Sequence, residues 1–135
     1  MLKRDNFFIA KTTKDKLPRL PFKQIKNDIL SKKYTLSLVF IGDARSKTLN
    51  KKYRKKNMPA NILSFSLSKN EGEIYINVRQ APRESKLFNM NTKQFVGYLF
   101  IHGLLHLKGC QHSSTMNREE TKLTKKFLNV ILPEK

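Results

Sequence analysis

The feature that most constrains this chain is its longest mostly apolar run, Phe95 to Leu107. A membrane-spanning helix needs about 20 such residues. This run falls short of that and carries two histidines, so it reads as a helix buried inside a protein. Thr92 is placed as its N-cap and Gly109 as its stop, which predicts a helix over residues 93–108. It is the strongest helix signal in the sequence.

The rest of the pattern supplies what such a helix can pack against. Residues 6–10 predict a first strand. A loop with Pro18 and Pro21 follows, and Pro21 suits the first turn of a helix. Phe22, Ile25 and Ile29 then form one apolar face to about Ser31. Thr35–Ile41 is β-branched and aromatic and ends at Gly42, which predicts a strand. Asp43 is expected to cap a helix running to about Lys56, with Leu49 and Tyr53 buried as an i, i+4 pair and Pro59 beyond its end. Ile62–Leu67 alternates, with Leu63, Phe65 and Leu67 on one face, and Glu73–Asn77 alternates with Ile74 and Ile76 paired. The short polar link Ser68–Gly72 joins these two strands as a hairpin. A basic, loosely patterned stretch runs on to Met90. The final helix, about 115–132, carries Met116, Leu123, Phe127, Val130 and Ile131 on one stripe. The order β-α-β-α-β-β-α-α predicts an α+β fold: a single domain over residues 1–135, with a small mixed β-sheet and helices packed on it.

Composition bears on the partner more than on the fold. The 135 residues suit one core. Twenty-eight Lys and Arg against ten Asp and Glu give a formal charge of +18. A field of that size concentrates polyanions, and nucleic acid is the partner it indicates, although a lysine-biased genome gives the same count. Met1–Lys11 is charged and lacks the apolar core of a signal peptide. Cys110 is the single cysteine, which excludes an intrachain disulfide and fits a reducing cytoplasm. The expectation is a cytoplasmic protein with no membrane partner; the oligomeric state is left open.

All three histidines of the chain fall between residues 102 and 112. His102 and His106 are one helical turn apart on one face, so both imidazoles can address one metal. Gly109 permits the positive φ that breaks the helix and lets the chain turn back to present His112. Three imidazoles with the fourth position open is a catalytic zinc arrangement, and zinc is the expected ion, one per chain, on the helix and the following turn. A histidine on an apolar face is more often a core residue with one hydrogen bond; the spacing of the three argues against that here. Cys110 is either a fourth ligand, which would make the metal structural, or a small apolar filler. The HExxH protease pattern needs a Glu after the first histidine as base, and Gly103 stands there. No Asp or Glu occurs between Glu84 and Glu119, so proteolysis is disfavoured.

These residues resemble a known family. His102-Gly-Leu-Leu-His106-Leu-Lys-Gly109-Cys-Gln-His112 is similar to the HGxLHLxGxxH signature of the YbeY family of bacterial endoribonucleases, the rRNA maturation factors. Leu49-Asn50-Lys51-Lys52-Tyr53-Arg54 resembles the family's LNxxYR helix, Asn61-Ile62-Leu63-Ser64-Phe65 its TDVLSF strand, and Gly72-Glu73-Ile74 its GDI strand start. Met116 and Glu120 match its M-x-x-x-E spacing. The resemblance implies a metal-dependent endoribonuclease acting on single-stranded RNA, in maturation of the small-subunit rRNA 3′ end and in ribosome quality control. Its implied partners are the small ribosomal subunit and assembly factors. It implies that His102, His106 and His112 hold zinc and that Arg54 lies in the active-site cleft. The sequence departs from the pattern at Cys110 and Gln111, where the family has an aromatic residue and Asp, and at Ala60 and Asn61, where it has Thr-Asp.

Arg45, Lys47, Lys51, Lys52, Arg54, Lys55 and Lys56 are clustered, with no acid between Asp43 and Glu71. Most of these read as a solvated helix face or generic phosphate contacts, and Lys51 and Lys55 join Arg54 as expected RNA contacts. Arg54 is singled out because guanidinium can grip phosphate bidentately and offset charge in a transition state. His102 and Arg54 are the expected catalytic residues. Asn61 and Ser64 are placed near the cleft by the family match alone, and Glu120 is expected to pack or cap locally. Two other readings stand beside the nuclease: a non-catalytic RNA-binding assembly factor whose zinc holds the fold, and a metallohydrolase of another substrate.

Overall fold

A computed structural model describes residues 6–109 and 114–132. Four strands form one sheet: β1 (Phe7–Lys11), β2 (Thr35–Ile41), β3 (Ile62–Ser68) and β4 (Glu71–Asn77), in the order β1-β2-β4-β3. β1, β2 and β4 run parallel, and β3 returns antiparallel on β4 through a tight turn. The helices are α1 (Phe22–Leu30), α2 (Asp43–Arg54), α3 (Gln80–Ser85), α4 (Thr92–Leu107) and α5 (Ser114–Leu128), with a 3₁₀ turn, Lys86–Phe88, after α3. This is the α+β fold with a mixed sheet that the pattern predicts. No helix among the described residues is long and apolar enough to cross a membrane.

The period of two along each strand sets which side faces which helix. Leu36, Leu38 and Phe40 of β2 and Ile74 and Ile76 of β4 are fully buried on one face. There they meet α4 and α1 in the main core, where Phe22 packs edge-on against Phe100 at 5.1 Å. α4 contributes Phe95, Val96, Leu99, Phe100, Ile101, Leu104 and Leu105, buried on nearly every side. The opposite face carries a smaller core of Ile41, Leu49 and Leu63 beneath α2.

Several local expectations are corrected. Gly42 and not Asp43 occupies the N-cap of α2; Asp43 begins the helix and turns its carboxylate to Arg83 (2.7 Å) and Asn77 (2.9 Å). Those partners hold its carboxyl below the usual range, Arg83 contributing most. α2 ends at Arg54 and not Lys56, because Lys55 adopts the left-handed conformation at φ 56°. Leu49 is buried but Tyr53 is 55% exposed, since its ring packs on Phe65 of β3 at the very edge of the sheet. Asn91, not Thr92, caps α4, in a reciprocal capping box with Gln94. Leu67 lies at the exposed end of β3 and is not buried with Leu63. α5 stops at Leu128, where Asn129 takes φ 55°, so Val130 and Ile131 lie beyond the helix and Ile131 is exposed. The stretch after β4 is not irregular: it holds α3, whose buried positions are Ala81 and Ser85, too small and polar to make an apolar period. Pro82 is tolerated there because it falls in the first turn.

Gly103 marks the closest approach of α4 to the sheet. A Cβ at this position would stand 2.8 Å from Ile62 Cδ1 and 3.1 Å from Ile74 Cδ1. A glutamate in that place would point into the sheet, so the protease base is excluded by packing as well as by its absence. Gly103→Ala is expected to destabilise the fold by about 1–3 kcal/mol through overpacking, read as a lower urea midpoint with an unchanged slope.

Candidate active site

Between the end turns of α4, the residues left partly open are spaced by four. Tyr98, His102 and His106 form one polar stripe on an otherwise apolar helix. At its centre, His102 Nδ1 stands 2.7 Å from Glu120 Oε2, and Tyr98 donates its hydroxyl to Glu120 Oε1 at 2.8 Å. Glu120 comes from α5 and is only 3% exposed. A buried carboxylate needs such donors to stay ionised. Burial, and after it the bond to Glu120, push the Tyr98 hydroxyl pKa up, which keeps Tyr98 a donor.

This arrangement sets the chemistry of the histidine pair. With Nδ1–H donated to Glu120, a neutral His102 presents its Nε2 lone pair outward. That atom faces His106 Nε2 at 3.0 Å, with the two rings near perpendicular at 74°. Two imidazole nitrogens on one tetrahedral zinc, each about 2.05 Å from it, would stand roughly 3.3 Å apart. The pair is within a few tenths of an ångström of that spacing, and the carboxylate behind His102 is the partner a metal-binding histidine ordinarily has. The donor set therefore fits a divalent metal. His112, Cys110 and Gln111 lie outside the described residues, and no group of three metal-binding side chains occurs among those described.

A cavity of about 360 Å³ opens in front of the pair, lined by His102, Gly103, His106, Arg54, Asn61, Ile62, Leu63 and Ser64. Thus Arg54, Asn61 and Ser64, which the sequence associates with the histidines through motif similarity, share their cavity. Lys51 and Lys55 do not line it and are exposed on α2 and its end. The apposition of α2 and β3 has an identifiable cause. Ser46 Oγ donates to the Ala60 carbonyl (2.7 Å) and accepts from its N–H (2.8 Å), while Asn50 Nδ2 donates to the Met58 carbonyl (2.8 Å). Both side chains are buried, so α2 grips the loop that leads into β3 and keeps Arg54 over that strand's edge. On the other wall, Asn61 Nδ2 donates to Glu84 Oε1 at 2.9 Å. A carboxylate only accepts, so the amide nitrogen faces Glu84 and the Asn61 oxygen is directed elsewhere.

The sequence assigned no part to Tyr98, Glu84 or Ser46; Asn50 entered only within the LNxxYR match, and Glu120, matched by M-x-x-x-E spacing, only as local packing or a cap. Tyr98 had a signal, the i−4 position from His102. Glu84 and Ser46 act through long-range contacts that no local pattern encodes.

The chain matches the family described as Endoribonuclease YbeY over residues 5–131. Among curated proteins it is similar to "Endoribonuclease YbeY" of Thermodesulfovibrio yellowstonii, 37% identical over 107 residues, 73% of this chain and 67% of that one. It is likewise similar to the protein of the same name from Syntrophus aciditrophicus, 37% identical over 95 residues, 64% of this chain and 59% of that one. The aligned stretches thus span about two thirds or less of those relatives. The solution structure of TM1509 from Thermotoga maritima shares the fold, with a TM-score of 0.63 at 22% identity, covering 89% of this chain and 87% of that one.

Asn61→Asp would set a second carboxylate against Glu84. One of the pair would then have a folded-state pKa above its unfolded value, so the variant's deficit is small in acid, where the pair shares a proton, and full above the raised pKa. The expected loss at neutral pH is about 1 kcal/mol or more, for a half-exposed pair, and should shrink as the pH falls toward 4 in urea titrations.

Proposed function

The chain belongs to the YbeY endoribonuclease family, and from that membership we propose that it is a metal-dependent endoribonuclease cleaving single-stranded RNA. The proposed setting is maturation of the small-subunit rRNA 3′ end and ribosome quality control in the cytoplasm, as a single catalytic domain working with the small subunit and its assembly factors. The observation that carries the reading is the meeting of a carboxylate-oriented histidine pair with Arg54 in one cavity. The relatives' name supports the activity, and a charge of +18 supports the polyanionic substrate. A structural zinc in a non-catalytic RNA binder, the other reading, is not favoured by a cavity in front of the histidines.

His102 and His106, with His112 from the following segment, would hold one Zn²⁺. When bound, that ion supplies Lewis acidity toward a phosphoryl oxygen and lowers the pKa of a water to about 7. The residues of the chain do the rest. Glu120 and Tyr98 hold His102 in the tautomer that presents Nε2. Arg54 enters the cavity from the C-terminal end of α2, where the helix dipole favours a cation. Its guanidinium would bind the scissile phosphate and offset the charge that develops on it. Asn61 and Ser64 would contact the ribose or phosphate beside it, and Lys51 and Lys55 would hold flanking phosphates from outside the cavity.

Metal-replete protein tested on single-stranded RNA beside a peptide separates the readings. His102→Ala is expected to lose both bound zinc and RNA cleavage. Arg54→Ala should retain zinc and lose most cleavage; activity equal to the unaltered protein would remove Arg54 from the chemistry. Glu120→Gln is expected to weaken zinc about 10–100-fold, measured by competition with a chelating dye, because the carboxylate behind His102 is gone.

A further inference from the structure

The sheet face opposite the main core is only partly covered, and its open part carries a row of rings. Tyr53, 55% exposed, stands with its ring centroid 5.1 Å from that of Phe65, which lies 6.0 Å from Tyr75. The three come from α2, β3 and β4. The small core of Ile41, Leu49 and Leu63 closes beneath α2 with Phe65 and Tyr75 only partly buried against it. Tyr53 therefore packs on Phe65 with more than half of it exposed, and the Lys52 ammonium over its ring is the group a stacked base would displace.

Two further observations say what belongs on that open ring. The first is position. Arg54 and Ser64 both line the candidate cavity, and each is the immediate chain neighbour of one of these aromatics, Tyr53 and Phe65. Strand alternation turns Ser64 and Phe65 to opposite faces, so the row meets the cavity around the edge strand β3, where Arg54 and Leu63, on the row's own face, both line it. The second is charge. Lys52 Nζ sits 5.2 Å from the Tyr53 ring centroid, and Lys51, Lys55, Lys56 and Arg45 are exposed or half-exposed on the same helix and its end. One acid, Glu73, sits in the middle of the row, directly across from Phe65 and beside Tyr75. An exposed aromatic ring supported from behind and flanked by cations is the pattern that receives the bases of a single strand while holding its phosphates.

We propose that Tyr53, supported by Phe65, is a stacking platform for a base of single-stranded RNA whose neighbouring phosphate enters the cavity. The platform rests on the RNA-cleaving reading above and adds a determinant of substrate form: an unpaired base can lie on the ring, whereas a base inside a duplex presents no free face. Because every base has a π-face, the platform selects strandedness rather than sequence.

The chain contains no tryptophan, so Tyr53→Trp installs a single reporter at the platform. Metal-replete Y53W is mixed in stopped flow, before cleavage proceeds, with a single-stranded RNA oligonucleotide, with an abasic strand of equal phosphate count, and with a duplex. Quenching by the single strand and not by the abasic strand or duplex is the expected result. Equal quenching by the abasic strand, or none by any, overturns the platform. In parallel, Tyr53→Ala should bind single-stranded RNA about 10-fold more weakly with an unchanged melting temperature, and Tyr53→Phe should restore binding. RNA affinity unchanged in Tyr53→Ala overturns the proposal even if Y53W is poorly folded. The two readings fail separately. Base-dependent quenching without any RNA cleavage would keep the platform and remove the nuclease, while cleavage without quenching would do the reverse.

Discussion

The enclosure of α4 is the constraint on which the rest of the structure depends. A helix apolar on nearly all sides cannot lie on a surface, so the sheet covers it from one side and α1, α3 and α5 from others. Between its end turns, the stripe of Tyr98, His102 and His106 is the part of α4 left partly open. Burial makes that stripe chemically specific. In water His102 would be free to take either tautomer; against the buried Glu120 it is held in one. The close approach at Gly103 then sets the depth of the histidines relative to β3 and brings them opposite Arg54.

A second set of contacts keeps Arg54 in place. α2 is tied at its first turn, where Asp43 meets Arg83 and Asn77, and along its length, where Ser46 and Asn50 hold backbone atoms of the loop before β3. The Asp43–Arg83 ion pair is partly exposed, and such pairs contribute about 1 kcal/mol or less. The second is buried, and losing a partner there would strand a polar backbone group. The loop, rather than the salt bridge, is what aligns α2 with the cavity.

The reach of sequence reasoning follows the same division. Elements with a strong apolar period, α4 and the strands β2 and β4, were legible because local pattern and burial agree. α3 was not, because its buried positions are Ala81 and Ser85. Tyr53 was misplaced for a related reason: the i, i+4 spacing from Leu49 identifies a shared face but not where the sheet beneath that face ends. In the site, the histidine spacing and the neighbourhood of Arg54 were legible, one from helix geometry and the other through resemblance. The role of Glu120 behind His102, the Asn61–Glu84 pair and the Ser46 contact were not, since each joins residues distant in sequence. The segment with Cys110, Gln111 and His112 lies outside the described residues.

The contact between His102 and Glu120 also fixes an order of events in time. Glu120 is on α5, and the two residues meet only when α5 has docked on α4. The hairpin β3–β4 closes locally and can form early, and so can α4. A nascent chain that has emerged only as far as Leu107 therefore has both histidines and the edge strand, yet His102 is still without its carboxylate. The centre reaches its final electronic state only after α5 has been made and has docked on α4.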